Sequence, residues 1–207
     1  ALKYAVTRQG LLSLPASPIR AYLRTREGLV SPDVGMSFFP FMSQNFKLTW
    51  KPGFTAIPHQ LRPESMGSVH AKSGQPGQPP AINFNFLSAE LDRQTVIAAV
   101  KETRRLVEAP SLDAFRGDEL APGPEVRTDD EILDWVRRAA ETVYHPVGTC
   151  KMGADPMAVV DDRLRVHGIA GLRVADASIM PTLTSGNTNA PSIMIGEKAS
   201  AMILDAA

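Results

Sequence analysis

Residues 81–107 read AINFNFLSAELDRQTVIAAVKETRRLV, and the spacing of the apolar positions changes inside this stretch. Residues 81–86 are apolar and aromatic and follow a turn-rich segment, Ser73-Gly74-Gln75-Pro76-Gly77-Gln78-Pro79-Pro80, which predicts a strand. From Glu90 onward, Val96, Ile97, Val100, Thr103 and Val107 recur at helical spacing in a charged background, which predicts an amphipathic helix over Glu90–Val107. Working outward, residues 36–41 (with Pro40 marking an edge or an end), 54–61 and 67–71 are further strand candidates. Strands that follow one another without helices between them predict an antiparallel sheet. Downstream, Thr128-Asp129-Asp130-Glu131 is a capping-box pattern, and Ile132, Val136, Ala139 and Val143 continue it as a second helix. Both helices are expected to cover the sheet, so residues 1–142 read as α+β.

The last third has another character. Residues 171–176 predict a short buried strand with turns on both sides. Residues 191–206 predict a helix, with Pro191 near its first turn and Asn189 or Ala190 at its cap. Between them, residues 180–190 are small, polar and glycine-containing, a composition suited to a functional loop.

Composition narrows the class. The chain has 207 residues, 43% hydrophobic and 21% charged, which suits a globular protein and not a disordered tail. Lys plus Arg equals Asp plus Glu at 22 each, so no basic excess directs it to nucleic acid or acidic lipid. Cys150 is the single cysteine, which excludes an internal disulfide or a multi-cysteine zinc site and points to a reducing compartment. No apolar run approaches the ~20 residues that span a bilayer. The first residues, Ala1-Leu2-Lys3-Tyr4, have no initiator Met and no signal-peptide pattern, and read as a fragment or processed product.

His59, His70 and His167 have no neighbours that complete a site, and are expected to be satisfied or exposed. His145 differs. It lies in Tyr144-His145-Pro146-Val147-Gly148-Thr149-Cys150-Lys151-Met152-Gly153 just after a predicted helix. Pro146 drives it from helical dihedrals and so fixes where its ring points, while Gly148 and Gly153 permit close backbone approach. Spacing alone leaves both a functional role and a structural helix terminus open. A His145/Cys150 nucleophilic pair or metal site finds no further partners in the sequence, so no metal is expected. Gly-x-Ser-x-Gly and Gly-x-Gly-x-x-Gly are both absent, so neither a hydrolase elbow nor a complete dinucleotide-binding unit is present. Asn187-Thr188-Asn189 precedes a helix whose free N–H groups and partial positive charge favour an anion or electron-rich carbonyl; an ordinary Asn cap explains it equally.

Residues 144–153, Val159-Val160-Asp161, residues 166–181 and residues 185–198 together resemble the C-terminal part of the glucose–methanol–choline family of flavin-dependent alcohol oxidoreductases, most of all its bacterial choline dehydrogenases and related alcohol dehydrogenases. Weaker agreement runs through residues 62–69 and 84–88. The resemblance implies a substrate-binding domain over 1–142, an antiparallel sheet covered by helices. Residues 143–207 would be the catalytic His–Pro segment and the strand–loop–helix that completes an FAD-binding α/β domain. It assigns catalysis to His145 and Asn187, and cofactor contact to Asp176, Ala177, Asn187, Thr188 and Asn189. The implied reaction oxidises a primary alcohol by hydride transfer to FAD. His145 takes the hydroxyl proton or, if already protonated, stabilises the alkoxide, while the neutral Asn187 amide donates to the same oxygen. The N-terminus of the last helix would stabilise negative charge arriving on the flavin.

The family's N-terminal half, with the Gly-rich turn for the pyrophosphate, has no counterpart in this sequence. This chain alone is therefore expected to be incomplete and inactive and not to retain FAD; its partners are the missing half, a small-molecule alcohol and an undetermined electron acceptor. No acidic residue lies between Thr7 and Arg26, so that segment offers no counter-charge for an ammonium. The expected location is the cytoplasm, or peripheral at the inner membrane in a bacterium. The alternatives are a non-catalytic binding module that kept the fold, and an oxidase that uses dioxygen.

Overall fold

The structure is a computed structural model that describes residues 2–44, 47–48 and 51–205. Among these, the order is α1 (Leu2–Thr7), β1 (Ile19–Leu23), β2 (Val34–Phe39), β3 (Ser43–Gln44), β4 (Lys47–Leu48), β5 (Thr55–Gln60), β6 (Ser68–His70), β7 (Ala81–Asn83), α2 (Glu90–Val107), α3 (Asp129–Ala139) and α4 (Asn189–Leu204). Antiparallel sheets with helices make the chain α+β, as its period change predicts. The chain divides into two compact units, residues 1–60 with 93–140, and residues 61–92 with 141–207.

In the first unit β2 is the central strand of a three-stranded sheet, order β1-β2-β5. Its register runs from Ile19 opposite Phe38 to Leu23 opposite Val34, and on the other side from Val34 opposite Gln60 to Phe39 opposite Thr55. Val34, Gly35, Met36 and Ser37 are all buried, so β2 is covered on both faces. Pro58 sits in β5, an edge strand of the sheet, the setting in which a strand tolerates proline. The other buried apolar residues of this unit are Ala99 and Val100 of α2 and Ile132 and Val136 of α3. The capping box of α3 forms: Glu131 N–H donates to Thr128 Oγ1 at 3.3 Å, and Thr128 N–H to Glu131 Oε2 at 2.8 Å. Arg104 anchors the loop before α3 by donating to Glu119 Oε1 and to the carbonyls of Gly123 and Val126.

Several details differ from expectation. The candidate strands do not form one sheet; β6 and β7 pair with each other as a separate hairpin, Ser68 opposite Asn83. β7 ends at Asn83, because Asn85 and Leu87 take left-handed φ values of 51° and 60° that break the pleat. Strand β1 and helix α1 were not anticipated. α3 stops at Ala139 and excludes Val143, since Ala140 already has an extended backbone, φ −75° and ψ 146°. Residues 171–176 contribute only an isolated bridge, Arg173 to Arg165, and Leu172 is exposed: the segment hydrogen-bonds to 164–166 across a tight turn too short to build a ladder. The last helix is capped by Thr188, not Asn189 or Ala190, and ends at Leu204; Ala206 of the predicted helix lies outside the described residues.

The second unit has its own core of Val160, Leu164, Ile179, Met180, Ile195 and Ala199. It is also tied by Asp92, 2% exposed, whose carboxylate accepts from Glu64 N–H at 2.9 Å and Ser65 N–H at 2.8 Å. Ser65 Oγ in turn accepts from Ala89 N–H, just before α2. No helix among the described residues is long and apolar enough to cross a membrane.

The β6–β7 hairpin depends on one glycine. A methyl group at Gly67 would lie 2.1 Å from the Asn83 carbonyl oxygen, against backbone that cannot swing aside. Gly67→Ala is therefore expected to lower the free energy of unfolding by about 1–3 kcal/mol in urea titration; an unchanged midpoint would contradict this close approach.

Candidate active site

Two segments of the second unit deliver the candidate catalytic side chains, and each is set by an unusual backbone. Tyr144 has φ 61°, a left-handed conformation that is rare for a bulky residue, and it aims the chain into His145. Pro146 follows, and Gly148 turns the chain again with φ 87°; a methyl group there would lie 3.4 Å from the Met180 carbonyl oxygen. Beyond it, Cys150 N–H donates to Ser178 O at 3.0 Å and Met152 N–H to Ile179 O at 2.8 Å, so residues 150–152 run alongside 178–180. Val147 and Met152 pack on the core that holds Ile179 and Met180.

The second segment leaves that core at Met180, crosses the polar stretch noted in the sequence and turns at Ser185, φ 61°. It then enters α4, whose Ile195 and Ala199 return to the same core. The two segments meet at its start. Asn187 Nδ2 donates to His145 Nε2 at 2.6 Å, although the residues are 42 positions apart. On the opposite side of the ring, His145 Nδ1 lies 3.0 Å from Thr188 Oγ1. Thr188 is buried, His145 half-buried, and Asn187 exposed. The arrangement is an imidazole gripped at both nitrogens by consecutive residues of a helix start.

The structure brings together His145, Asn187 and Thr188 out of the expected set. Asn189 opens α4 and is exposed. Asp176 caps the short helix Ala177–Ile179, accepting from Ser178 N–H at 2.7 Å, with its carboxylate exposed. Both nitrogens of His145 are engaged, so Cys150 is not its hydrogen-bond partner. His167 is a satisfied histidine: its backbone N–H donates to Val159 O, and its Nε2 lies 3.1 Å from Gly153 O. Among the described residues no cluster of three or more His, Cys, Asp or Glu side chains could hold a metal ion.

The donor set at the start of α4 suits part of a flavin. The first intrahelical bond runs from Ser192 N–H to Thr188 O, so the exposed amides of Asn189 and Ala190 lie ahead of it and face outward with the helix's positive end. Such amides match an electron-rich ring carbonyl. The helix behind them is apolar nearly all round, with Glu197 and Lys198 its only charged residues, yet Ile193, Met194 and Leu204 are exposed. A helix of that composition belongs in an interior. The residues therefore fit the ring end of the cofactor.

Comparison with known proteins agrees with this geometry. Residues 63–196 match the C-terminal profile of GMC oxidoreductase. Over 180 residues the chain is 47% identical to the oxygen-dependent choline dehydrogenase of Cronobacter sakazakii, covering 86% of this chain and 32% of that one. Over 184 residues it is 47% identical to the protein of the same name from Escherichia coli O127:H6, covering 88% and 33%. Pyridoxine 4-oxidase from Mesorbium loti superposes with a TM-score of 0.81 at 30% identity, over 90% of this chain and 37% of that one. The chain belongs to the GMC oxidoreductases, a family of FAD-dependent oxidoreductases acting on CH–OH donors. It spans about a third of the length of the curated relatives it matches.

One carboxylate braces the turn that carries buried Val160 and Leu164. Asp161 accepts from the backbone N–H groups of Arg163 and Arg165, both at 2.9 Å, and from Arg165 Nε at 2.8 Å. The Arg165 guanidinium first, then these amides, holds its carboxyl at about 2, below the ordinary 3.8. A depressed folded value means stability that is present above the ordinary value and lost as pH falls through the folded one. The unfolding midpoint in urea is expected to decline between pH 4 and pH 2, and to decline less steeply in Asp161→Asn. Parallel curves for parent and variant would show that Asp161 does not supply this part of the acid sensitivity.

Proposed function

We propose that the whole protein is a flavin-dependent alcohol dehydrogenase of the choline dehydrogenase type, and that this chain supplies its C-terminal substrate-binding and catalytic part. The observation that carries the reading is the convergence of His145 and Asn187 at the start of α4 in a chain of this family. In this reading residues 1–142 serve the substrate side, and residues 143–207 return to complete the flavin domain. The bacterial relatives and the single cysteine suit a cytoplasmic enzyme, at most peripheral to the inner membrane.

Asp176, Ala177, Asn187, Thr188 and Asn189 would hold the ring end and adjoining chain of FAD. When bound, FAD supplies the acceptor for the hydride that leaves the alcohol carbon. The residues of this chain manage the oxygen. Nε2 of His145 accepts a hydrogen bond from Asn187, so it presents a lone pair where the two side chains meet. An alcohol hydroxyl that enters there displaces the direct 2.6 Å bond and bridges the two groups. Asn187 then donates to the alcohol oxygen, and His145 takes its proton as the carbon–oxygen double bond forms. Asn187 cannot act as the base, because its amide is neutral. The helix end adds a favourable field for negative charge of ~0.3–1 kcal/mol if exposed and up to ~2 kcal/mol if partly buried.

A choline-type substrate calls for a carboxylate and aromatic faces around the ammonium. Residues 7–26 supply no acidic side chain, so any counter-charge comes from elsewhere in the protein, and a neutral primary alcohol is the competing substrate. Turnover of choline against simple primary alcohols, with dye reduction set against peroxide release, separates these cases and identifies the electron acceptor.

In the flavin-loaded enzyme, His145→Ala is expected to lower turnover by ~10²–10⁴-fold, the usual effect of losing a general base, with flavin content little changed. Equal turnover in parent and variant removes His145 from the reaction. The 207-residue chain purified by itself is expected to be colourless and to oxidise no alcohol; a flavin absorbance band after gel filtration would overturn the assignment of the pyrophosphate site to another part of the protein.

A further inference from the structure

Thr188 occupies the N-cap of α4, and a threonine there ordinarily accepts a hydrogen bond from an amide of the first turn. It does not do so here: no side-chain capping bond forms, and its φ and ψ of −78° and 0° are helical and not those of an ordinary cap. Its hydroxyl is instead turned to the ring of His145, with Oγ1 3.0 Å from Nδ1. Thr188 is 8% exposed, so water does not readily replace this partner. Its backbone carbonyl is held separately, accepting from Ser192 N–H at 2.9 Å and Ser192 Oγ at 2.6 Å. The hydroxyl is therefore diverted from the helix to the histidine.

The ring's other nitrogen decides what this diversion does. Asn187 Nδ2 carries only hydrogens and donates to Nε2, so in the neutral ring the proton sits on Nδ1. That N–H points at Thr188 Oγ1, which accepts it. Free histidine favours the opposite tautomer, with the proton on Nε2, and there Nε2 could not take a proton from an alcohol. We propose that Thr188 is a positioning residue: with Asn187 donating to Nε2, its hydroxyl accepts from Nδ1–H and so holds neutral His145 in the Nδ1–H form, keeping the Nε2 lone pair ready as the base. A hydrogen bond to one ring nitrogen selecting the state of the other is the general way an imidazole is oriented for proton transfer. The β-branched side chain suits the task, because its χ1 is stiff and keeps Oγ1 in place. The inference rests on the reading of His145 as the base, but its spectroscopic test does not.

The test is a long-range proton–nitrogen NMR correlation on the whole protein labelled with 15N-histidine, at alkaline pH and without alcohol, with the His145 signals assigned by their loss in His145→Gln. The parent is expected to show the Nδ1–H pattern, Thr188→Val a shift of population toward Nε2–H, and Thr188→Ser a return toward the parent. An Nε2–H ring in the parent, or an unaltered Nδ1–H ring in Thr188→Val, overturns the proposal. In the flavin-loaded enzyme, Thr188→Val should lower kcat roughly two- to tenfold, the weight of one net hydrogen bond, with KM nearly unchanged and Thr188→Ser restoring most of the loss. A kcat equal to the parent's in Thr188→Val also overturns it. The ring spectra are read without any alcohol, so a parent that oxidises none defeats the functional reading alone and leaves the tautomer assignment to stand on its own data.

Discussion

An imidazole bonded at Nε2 by Asn187 and at Nδ1 by Thr188 has one orientation, and both bonds come from consecutive residues at the start of one helix. Much of the second unit works to make that meeting possible. These contacts stabilise the fold little. Two neutral hydrogen bonds contribute about 0.5–1.5 kcal/mol each. Against them stand the forgone threonine cap, worth about 0.5–2 kcal/mol, and two non-glycine residues with left-handed backbones, Tyr144 and Ser185, at roughly 1–3 kcal/mol each. An arrangement that consumes stability in this way is held in place by something else, and local strain of this kind gathers at functional sites.

What holds it is burial. Val160, Leu164, Ile179, Met180, Ile195 and Ala199 come from three stretches of chain: the turn braced by Asp161, the segment after Asp176, and α4 itself. A fully buried side chain of the Val, Leu, Ile or Met kind is worth about 1.5–3 kcal/mol, so this cluster easily outweighs the strain beside it. Val147 packs on it two residues after His145, and Met180 enters it seven residues before Asn187. The core thus grips each of the two segments close to His145 or Asn187 and leaves the tips polar and reachable.

Helix α4 links this local geometry to the family. Its first turn offers donors, its inner face carries Ile195 and Ala199 into the core, and much of the remaining surface is apolar and exposed. In relatives about three times as long, an apolar helix has more protein to meet. The family match over residues 63–196 includes the first half of α4 together with both segments that build the site, so the parts that position the histidine are those the family shares.

The period change at residue 90 was legible because burial imposes it. Helix α2 has the bounds that its apolar spacing predicts, and the α3 capping box is written in Thr128 and Glu131. Strand β1 was not legible: in IRAYL only Ala21 and Leu23 are partly buried, so half-exposed edge pairing leaves little alternation to read. The segment at 171–176 misled for the opposite reason, since an apolar run suits a buried strand, a core wall or an exposed turn equally. Sequence by itself determined the α+β class and the family, and singled out His145 and Asn187 as candidates, because motifs and periods are properties of neighbouring residues. Only the tertiary structure decided that Thr188 gives its hydroxyl to the ring and not to its helix, because a contact across 43 positions is set by how two turns fold onto one core.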